Sequence, residues 1–259
     1  MEPTAAPQKT ANTENFPVAS LMLSARVRPH VLAFYRFARQ ADDIADSPNL
    51  SKTEKLNQLT ALQENLKQDD PATPYLKDLL TAFTWDAEDR RYETWDDLIV
   101  YCAHSAAPVG RFLLDLHNAL NQQTGKASDA LCAALQITNH LQDCGPDYRI
   151  LNRVYLPTQW LDQAGLSVDC LNETRSPQAL RHILDQALDE TDKLIAQASR
   201  LPRMIDNFGL RIQAHATVEA ARSLAEKLRS DDPLAHRVEL SFSRKLTCAM
   251  QGMMKGWFR

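Results

Sequence analysis

The apolar residues of this 259-residue chain recur mainly at intervals of three and four, the spacing of an α-helix. A clear example lies between His30 and Asp46, where the apolar positions would form one wide buried face. Its members are Val31, Leu32, Phe34, Tyr35, Phe37, Ala38, Ala41 and Ala45. The chain holds only seven glycines and few of the alternating runs that are typical of strands. The sequence therefore predicts an all-α protein.

Capping residues and apolar spacing predict the remaining helices. Ser51 is a capping residue, and Glu54 completes its capping box. Pro108 and Gly110 lie inside a long helical segment and predict a kink there. The small residues at this kink either let a neighbouring helix approach or leave room for a ligand, and the sequence leaves this open. The expected helices cover residues 51–68, 71–86, 94–121, a segment from Ser128 to about 149, 159–165, a segment from 176 onward, 204–229 and 233–257. The helices over residues 51–68 and 71–86 are interpreted as scaffold.

The chain shows no internal repeat, low-complexity linker or change of composition. We therefore expect a flexible N-terminal tail over residues 1–13 and a single domain over residues 14–259. The tail lacks the apolar region of a signal peptide and the arginine-rich pattern of an import sequence, so we expect a cytoplasmic protein. No apolar run reaches the roughly 18 residues that a membrane span needs. Peripheral contact with a membrane stays open.

Composition excludes several classes of function. The chain carries 29 Lys and Arg against 33 Asp and Glu, a net charge of −4, which argues against nucleic acid as the partner. Its five cysteines are widely spaced and include no CxxC pair, so neither a disulfide framework nor a zinc site is predicted. No GxGxxG or other dinucleotide-binding motif is present.

Three carboxylates, Asp42, Asp43 and Asp46, stand at the C-terminal end of the first predicted helix. Asp42 and Asp46 are four residues apart, so they project from one face and could share a cation. Acids at this end oppose the helix dipole and need a compensating charge, which a divalent metal would supply. Taken alone, the cluster is better described as a charged helix end that runs into a turn.

A second acidic cluster begins 101 residues after Asp42. Asp143 and Asp147 repeat the four-residue spacing, and Asn139 adds an amide oxygen one turn earlier. The Gly145-Pro146 dipeptide is expected to distort this turn. If the two helix ends face each other, their hard oxygen ligands suit Mg²⁺, which leaves positions open for phosphate oxygens of a substrate.

Two aspartate pairs, nearby arginines and aromatic-rich helices suit the ionisation of an allylic or cyclopropylcarbinyl diphosphate. Magnesium would neutralise the leaving diphosphate, and an apolar, aromatic-lined cavity would shield the carbocation. This reaction needs no protein nucleophile, and the chain shows no Ser-His-Asp or Cys-His signature.

Three stretches together resemble the squalene/phytoene synthase family, over roughly residues 14–255. They are Tyr35 to Asp46, Asn139 to Asp147 followed by Arg153-Val154-Tyr155-Leu156-Pro157, and Arg237 to Lys245. The resemblance implies the all-α isoprenoid synthase fold, with both acidic motifs lining a central cavity. It also implies about two or three Mg²⁺ ions bound with the diphosphate.

Within the family, the chain resembles the bacterial branch that converts presqualene diphosphate and water into hydroxysqualene and diphosphate, in the pathway to hopanoids. The stretches that carry this are Glu14 to Ser20, Tyr101 to Arg111 and Asn139 to Asp143. The resemblance implies that a separate enzyme reduces hydroxysqualene to squalene, so no NAD(P)H is expected here. Such a lyase could contact partner enzymes of the same pathway. Two alternatives stay open: a condensing prenyltransferase that makes presqualene diphosphate, squalene or a carotenoid precursor, and a catalytically silent helical assembly or binding protein. The intact aspartates of both motifs argue against the silent protein.

The resemblance assigns roles residue by residue. Asp42, Asp46, Asp143 and Asp147 match the metal-binding aspartates of the family, and Asp43 is a weaker candidate. Positions expected to line the site or to contact substrate or diphosphate are Asn15, Phe16, Tyr35, Arg39, Asn139, Arg153, Tyr155 and Arg244.

Two further residues, Tyr101 and His104, lie next to the kink and are candidates to orient the quenching water, although such a histidine is often a core residue. The chain also departs from the family. Gln142 stands where many relatives have arginine, and Asn15 stands near a serine of condensing relatives. Loss of an arginine that faces diphosphate favours an enzyme that handles one diphosphate rather than two.

Overall fold

A computed structural model describes residues 24–257, which fold into α-helices and two short 3-10 helices without any β-strand. The α-helices in chain order are α1 (Arg28–Ala45), α2 (Lys52–Glu64), α3 (Thr73–Ala87), α4 (Trp95–Ser105), α5 (Ala107–Leu116), α6 (Gln122–Gln142), α7 (Cys144–Leu151), α8 (Thr158–Gln163), α9 (Gln178–Ala198), α10 (Phe208–Ser230) and α11 (Phe242–Trp257). The 3-10 helices cover Val168–Asn172 and Leu201–Met204. The all-α prediction is confirmed. Asn15, Phe16 and the expected tail lie outside the described residues.

Helix starts that rest on local capping chemistry agree with the sequence. Ser51 caps α2, because its hydroxyl accepts the backbone N–H of Glu54 while the Glu54 carboxylate accepts the N–H of Ser51. Thr94 and Asp97 form the same reciprocal box at the start of α4. These caps each satisfy backbone donors that a helix start leaves unpaired.

Several expected boundaries are wrong. The segment 94–121 is not one helix, because the chain breaks at Ala106, just before Pro108, and α5 ends at Leu116. The next helix begins at Gln122 rather than Ser128, because the side chain of Asn121 accepts the N–H groups of Gln123 and Thr124 and caps it earlier. The last helix begins at Phe242 rather than at residue 233, and residues 231–241 form turns and irregular chain.

The core is built around α6, which packs against α4, α5, α9 and α10. Its deepest residues include Ala134, Leu180, Leu188 and Ala221, each 0% exposed. The helix α1 packs mainly on α2 and α3, and its Phe34 also stacks on Phe112 of α5, at 4.5 Å between ring centroids. The first acidic motif therefore ends a peripheral helix, and the second ends the central one.

The contacts of Gly110 show whether the small residues at the kink admit a neighbouring helix or leave room for a ligand. A methyl group at this position would lie 2.3 Å from Ser128 Oγ and 2.6 Å from Cys132 Sγ, both on α6. The missing side chain lets α5 approach α6 closely, and at Gly110 the space is filled by that neighbouring helix.

The helix α11 packs on α10 and exposes its outer face. A methyl group at Gly252 would lie 2.8 Å from the Cβ of Ala216, so this contact is also close. The large apolar side chains exposed on the outer face are Phe242, Leu246, Met250, Met253, Met254 and Trp257. In the described part of the chain, no helix combines the length and apolar character of a membrane span.

Gly110→Ala is expected to lower the free energy of unfolding by about 1–3 kcal/mol, because the added methyl group would push α5 away from α6. Gly125→Ala is the matched control, since a methyl group there meets its nearest neighbour at an ordinary 3.5 Å. The control should be neutral or more stable by up to about 1 kcal/mol, because alanine favours a helix over glycine. Chemical denaturation measures both, and equal losses would contradict the close approach.

Candidate functional site

Arginines neutralise all three carboxylates of the first acidic motif. Arg39 contacts Asp42 Oδ2 through Nη1 and Asp43 Oδ1 through Nη2, each at 2.7 Å. Asp46 directly follows α1, and its Oδ1 lies 2.6 Å from Nη1 of Arg153. The compensating charge that these acids need at the C-terminal end of a helix is thus supplied by guanidinium groups.

The second motif spans a break between two helices. Asp143 lies between α6 and α7, and Asp147 lies in the first turn of α7, where its charge suits the helix dipole. The N–H of Asp147 donates to the carbonyl oxygen of Asp143 at 2.8 Å. The distortion expected at Gly145-Pro146 therefore occurs two residues earlier. Asn139 lies in the last turn of α6.

Two further side chains lie beside these aspartates. Arg237 Nε is 3.7 Å from Asp143 Oδ1, and His140 Nδ1 is 4.0 Å from Asp147 Oδ2. Gln142 is buried, and its amide donates to the carbonyl oxygen of Val238, which fixes the irregular segment that carries Arg237. The contact of Gln142 therefore helps to place the guanidinium group of Arg237 beside Asp143.

A buried carboxylate, Asp86, lies at the end of α3 and was not predicted as a site residue. It accepts hydrogen bonds from the hydroxyl groups of Tyr155 at 2.7 Å and Tyr101 at 3.0 Å, one on each oxygen. Burial raises the pKa of Asp86, while Arg153 and the two hydroxyl groups oppose this shift. The interpretation of α3 as scaffold is therefore incomplete.

Aromatic rings connect this carboxylate to both acidic motifs. The ring of Tyr155 stacks on His140 at 3.5 Å between centroids and lies 5.2 Å from the ring of Tyr101. His140 in turn approaches Asp147, and Arg153 binds Asp46. We call Asp86, Tyr101, His140, Arg153 and Tyr155 the buried cluster. It links one aspartate of each motif.

Other predicted site residues lie apart from the buried cluster. Tyr35 and Arg39 line an open cleft of about 520 Å³ beside α1. His104 packs edge-on against Trp85 of α3, and Arg244 contacts α10 through Ser223 at 3.1 Å and Glu226 at 3.4 Å. Of the predicted residues, Tyr101, Arg153 and Tyr155 are therefore joined with Asp46, whereas His104 and Arg244 contact other helices.

The donors of the two motifs fit magnesium in type. They are carboxylate oxygens with one amide oxygen from Asn139, the hard ligands that Mg²⁺ prefers. Within residues 24–257, no group of three or more His, Cys, Asp and Glu side chains is arranged to hold a metal ion. This donor set fits ions that bind together with phosphate oxygens of a ligand, since such oxygens complete the coordination.

Comparisons with known proteins agree on one family. A family model described as squalene/phytoene synthase matches residues 10–244. The hydroxysqualene synthase of Rhodopseudomonas palustris is 43% identical, over 90% of this chain and 85% of the relative.

Two solved structures share the fold. The squalene synthase HpnC from Alicyclobacillus acidocaldarius matches 82% of this chain and 87% of its own, with a TM-score of 0.72 and 26% identity. A dehydrosqualene synthase in complex with ligand matches 94% of this chain and 92% of its own, with a TM-score of 0.76 and 24% identity.

Arg153→Met is expected to lower the free energy of unfolding by about 3 kcal/mol, because it leaves Asp86 buried without a nearby cation. Arg229→Met is the control, since Arg229 pairs with the exposed Asp189 and Asp192 and should contribute less than about 1 kcal/mol. Denaturation by urea measures both variants. Equal losses would show that the Arg153 pair behaves as a surface contact.

Proposed function

Because the chain belongs to the squalene/phytoene synthase family, we propose that it converts presqualene diphosphate and water into hydroxysqualene and diphosphate. The family consists of enzymes that act on prenyl diphosphates and generally depend on a divalent metal, and the chain has the all-α isoprenoid synthase fold. The observation that carries the proposal is the 43% identity to a hydroxysqualene synthase over 90% of the chain. Hopanoid biosynthesis is the pathway in which we place the reaction.

In the proposed reaction the carbon–oxygen bond to diphosphate breaks, and both bonding electrons leave with the diphosphate. After rearrangement of the carbocation, the oxygen of water bonds to carbon and one water proton passes to the released diphosphate. No second prenyl group takes part, so water takes the place of diphosphate on the rearranged carbon skeleton and no condensation occurs. This makes the enzyme a carbon–oxygen lyase.

The four aspartates are proposed to bind magnesium, which when bound would neutralise the charge of the leaving diphosphate. The arginines beside these aspartates are proposed to bind the diphosphate. Arg39, Arg153 and Arg237 each lie within 4 Å of an aspartate of the two motifs, at 2.7, 2.6 and 3.7 Å. If magnesium bound one of these aspartates, the neighbouring guanidinium group could bind a phosphate oxygen instead.

The environment of Gln142 supports a single diphosphate. Its side-chain amide is neutral and already donates to the carbonyl oxygen of Val238. This position therefore supplies no cation for the second diphosphate that a condensing enzyme would bind. Contact with a lipid surface during product release is also part of the proposal, and the apolar outer face of α11 supports it.

Product analysis tests the function. The purified protein, incubated with magnesium and presqualene diphosphate, is expected to form hydroxysqualene and to release diphosphate in equal amounts. A chelator should stop both, and added magnesium should restore them. Efficient formation of presqualene diphosphate or phytoene from the shorter prenyl diphosphates would instead identify a condensing enzyme.

Asp42→Asn is expected to slow diphosphate release by roughly 100-fold or more, because it removes a ligand charge that faces the leaving group. Asp43→Asn is the matched control. The Asp43 side chain is 57% exposed and shares Arg39 with Asp42, so its loss should cost no more than about tenfold. Diphosphate release measures both, with thermal unfolding to verify the fold, and near-normal turnover in Asp42→Asn would refute the metal assignment.

A further inference from the structure

The buried cluster lies between the two acidic motifs. Arg153 joins it to Asp46 at 2.6 Å, and His140 approaches Asp147 at 4.0 Å. One aspartate of each motif is therefore a single contact away from the cluster. Since diphosphate would leave at these aspartates, the tyrosines of the cluster lie close to where the cation forms.

The Asp86 carboxylate sets the direction of the hydrogen bonds that the two tyrosine hydroxyl groups make. A carboxylate has no proton to give, so Tyr101 and Tyr155 must each donate their single hydroxyl hydrogen to it. Burial raises the pKa of Asp86, but Arg153 and the two donated hydrogen bonds act in the opposite direction and favour the ionised form. Each tyrosine oxygen then keeps only lone pairs for any other neighbour. Such an oxygen accepts a hydrogen bond from water and cannot donate one.

This arrangement matches what a quenching water needs. The attacking water must direct an oxygen lone pair at the cationic carbon, so its O–H bonds must point to acceptors elsewhere. Two acceptor-only oxygens on rings 5.2 Å apart provide such acceptors. The electron-rich faces of the rings also stabilise a nearby cation.

Resting on the proposed hydroxysqualene-forming function, we propose that Asp86 is a positioning residue. It holds the hydroxyl hydrogens of Tyr101 and Tyr155 so that their lone pairs orient the water that adds to the carbocation. Asp86 itself touches neither substrate nor water. Its effect therefore falls on the fate of the cation and not on the departure of diphosphate.

The experiment compares two readouts in Asp86→Asn with presqualene diphosphate and magnesium. An asparagine accepts one tyrosine hydrogen but donates to the other tyrosine oxygen, which reverses one hydroxyl group. Diphosphate release should stay within about threefold of the natural enzyme. The ratio of hydroxysqualene to unhydroxylated products should fall by about tenfold, the factor that one hydrogen bond supplies.

Tyr101→Phe and Tyr155→Phe give the same test without changing the charge in the core. At least one of them should shift the product ratio in the same direction. Combining it with Asp86→Asn should give no further shift, because Asp86 acts through that hydroxyl group. Tyr75→Phe is the matched control, since it removes a hydroxyl group bound to Asp115 at 3.1 Å on the outer surface and should leave the ratio unchanged.

Each outcome decides the proposal. A uniform loss of diphosphate release with an unchanged product ratio would show that Asp86 and the tyrosines are merely structural. If Asp86→Asn does not fold, the phenylalanine variants alone decide, and unchanged ratios in both overturn the proposal. If the natural enzyme forms no hydroxysqualene at all, the proposed function fails, and this inference fails with it.

Discussion

The buried guanidinium of Arg153 is the interaction on which the rest of this site depends. It comes from the segment after α7, binds Asp46 at the end of α1, and provides the positive charge near Asp86 at the end of α3. Three parts of the chain that are far apart in sequence are thereby held around one charge. Without it, the buried carboxylate of Asp86 would lose its neighbouring cation, and an unpaired buried charge costs several kcal/mol.

The same principle of charge compensation extends across both acidic motifs. Arg39 serves Asp42 and Asp43, Arg153 serves Asp46, and Arg237 approaches Asp143. Neighbouring arginines thus stabilise carboxylates of both acidic motifs. In the proposed function, bound metal would compensate the aspartates, and the arginines would bind the diphosphate. The neutral Gln142 adds no charge, but its hydrogen bond to Val238 holds the segment that carries Arg237.

The sequence predicts the features of the fold that depend on residues close together in the chain. The stripe of α1, the caps at Ser51 and Thr94 and the break near Pro108 depend on residues a few positions apart. Both acidic motifs were visible as repeated spacing. The start of α6 was missed because Asn121 offered an earlier cap than Ser128. Asp86 and Arg237 were missed because their partners lie far along the chain, although Asp86 sits on the buried side of an apolar helix, four residues after Ala82.

The break at Asp143 makes the two halves of the site mechanically different. Asp42 and its neighbours stand on one continuous helix, so their spacing is as stiff as the helix itself. Asp143 lies between α6 and α7 and accepts the backbone N–H of Asp147, so the second pair is positioned by the junction of two helices and not by one continuous helix. A substitution that shifts α6 against α7 would therefore displace the second motif while leaving the first in place.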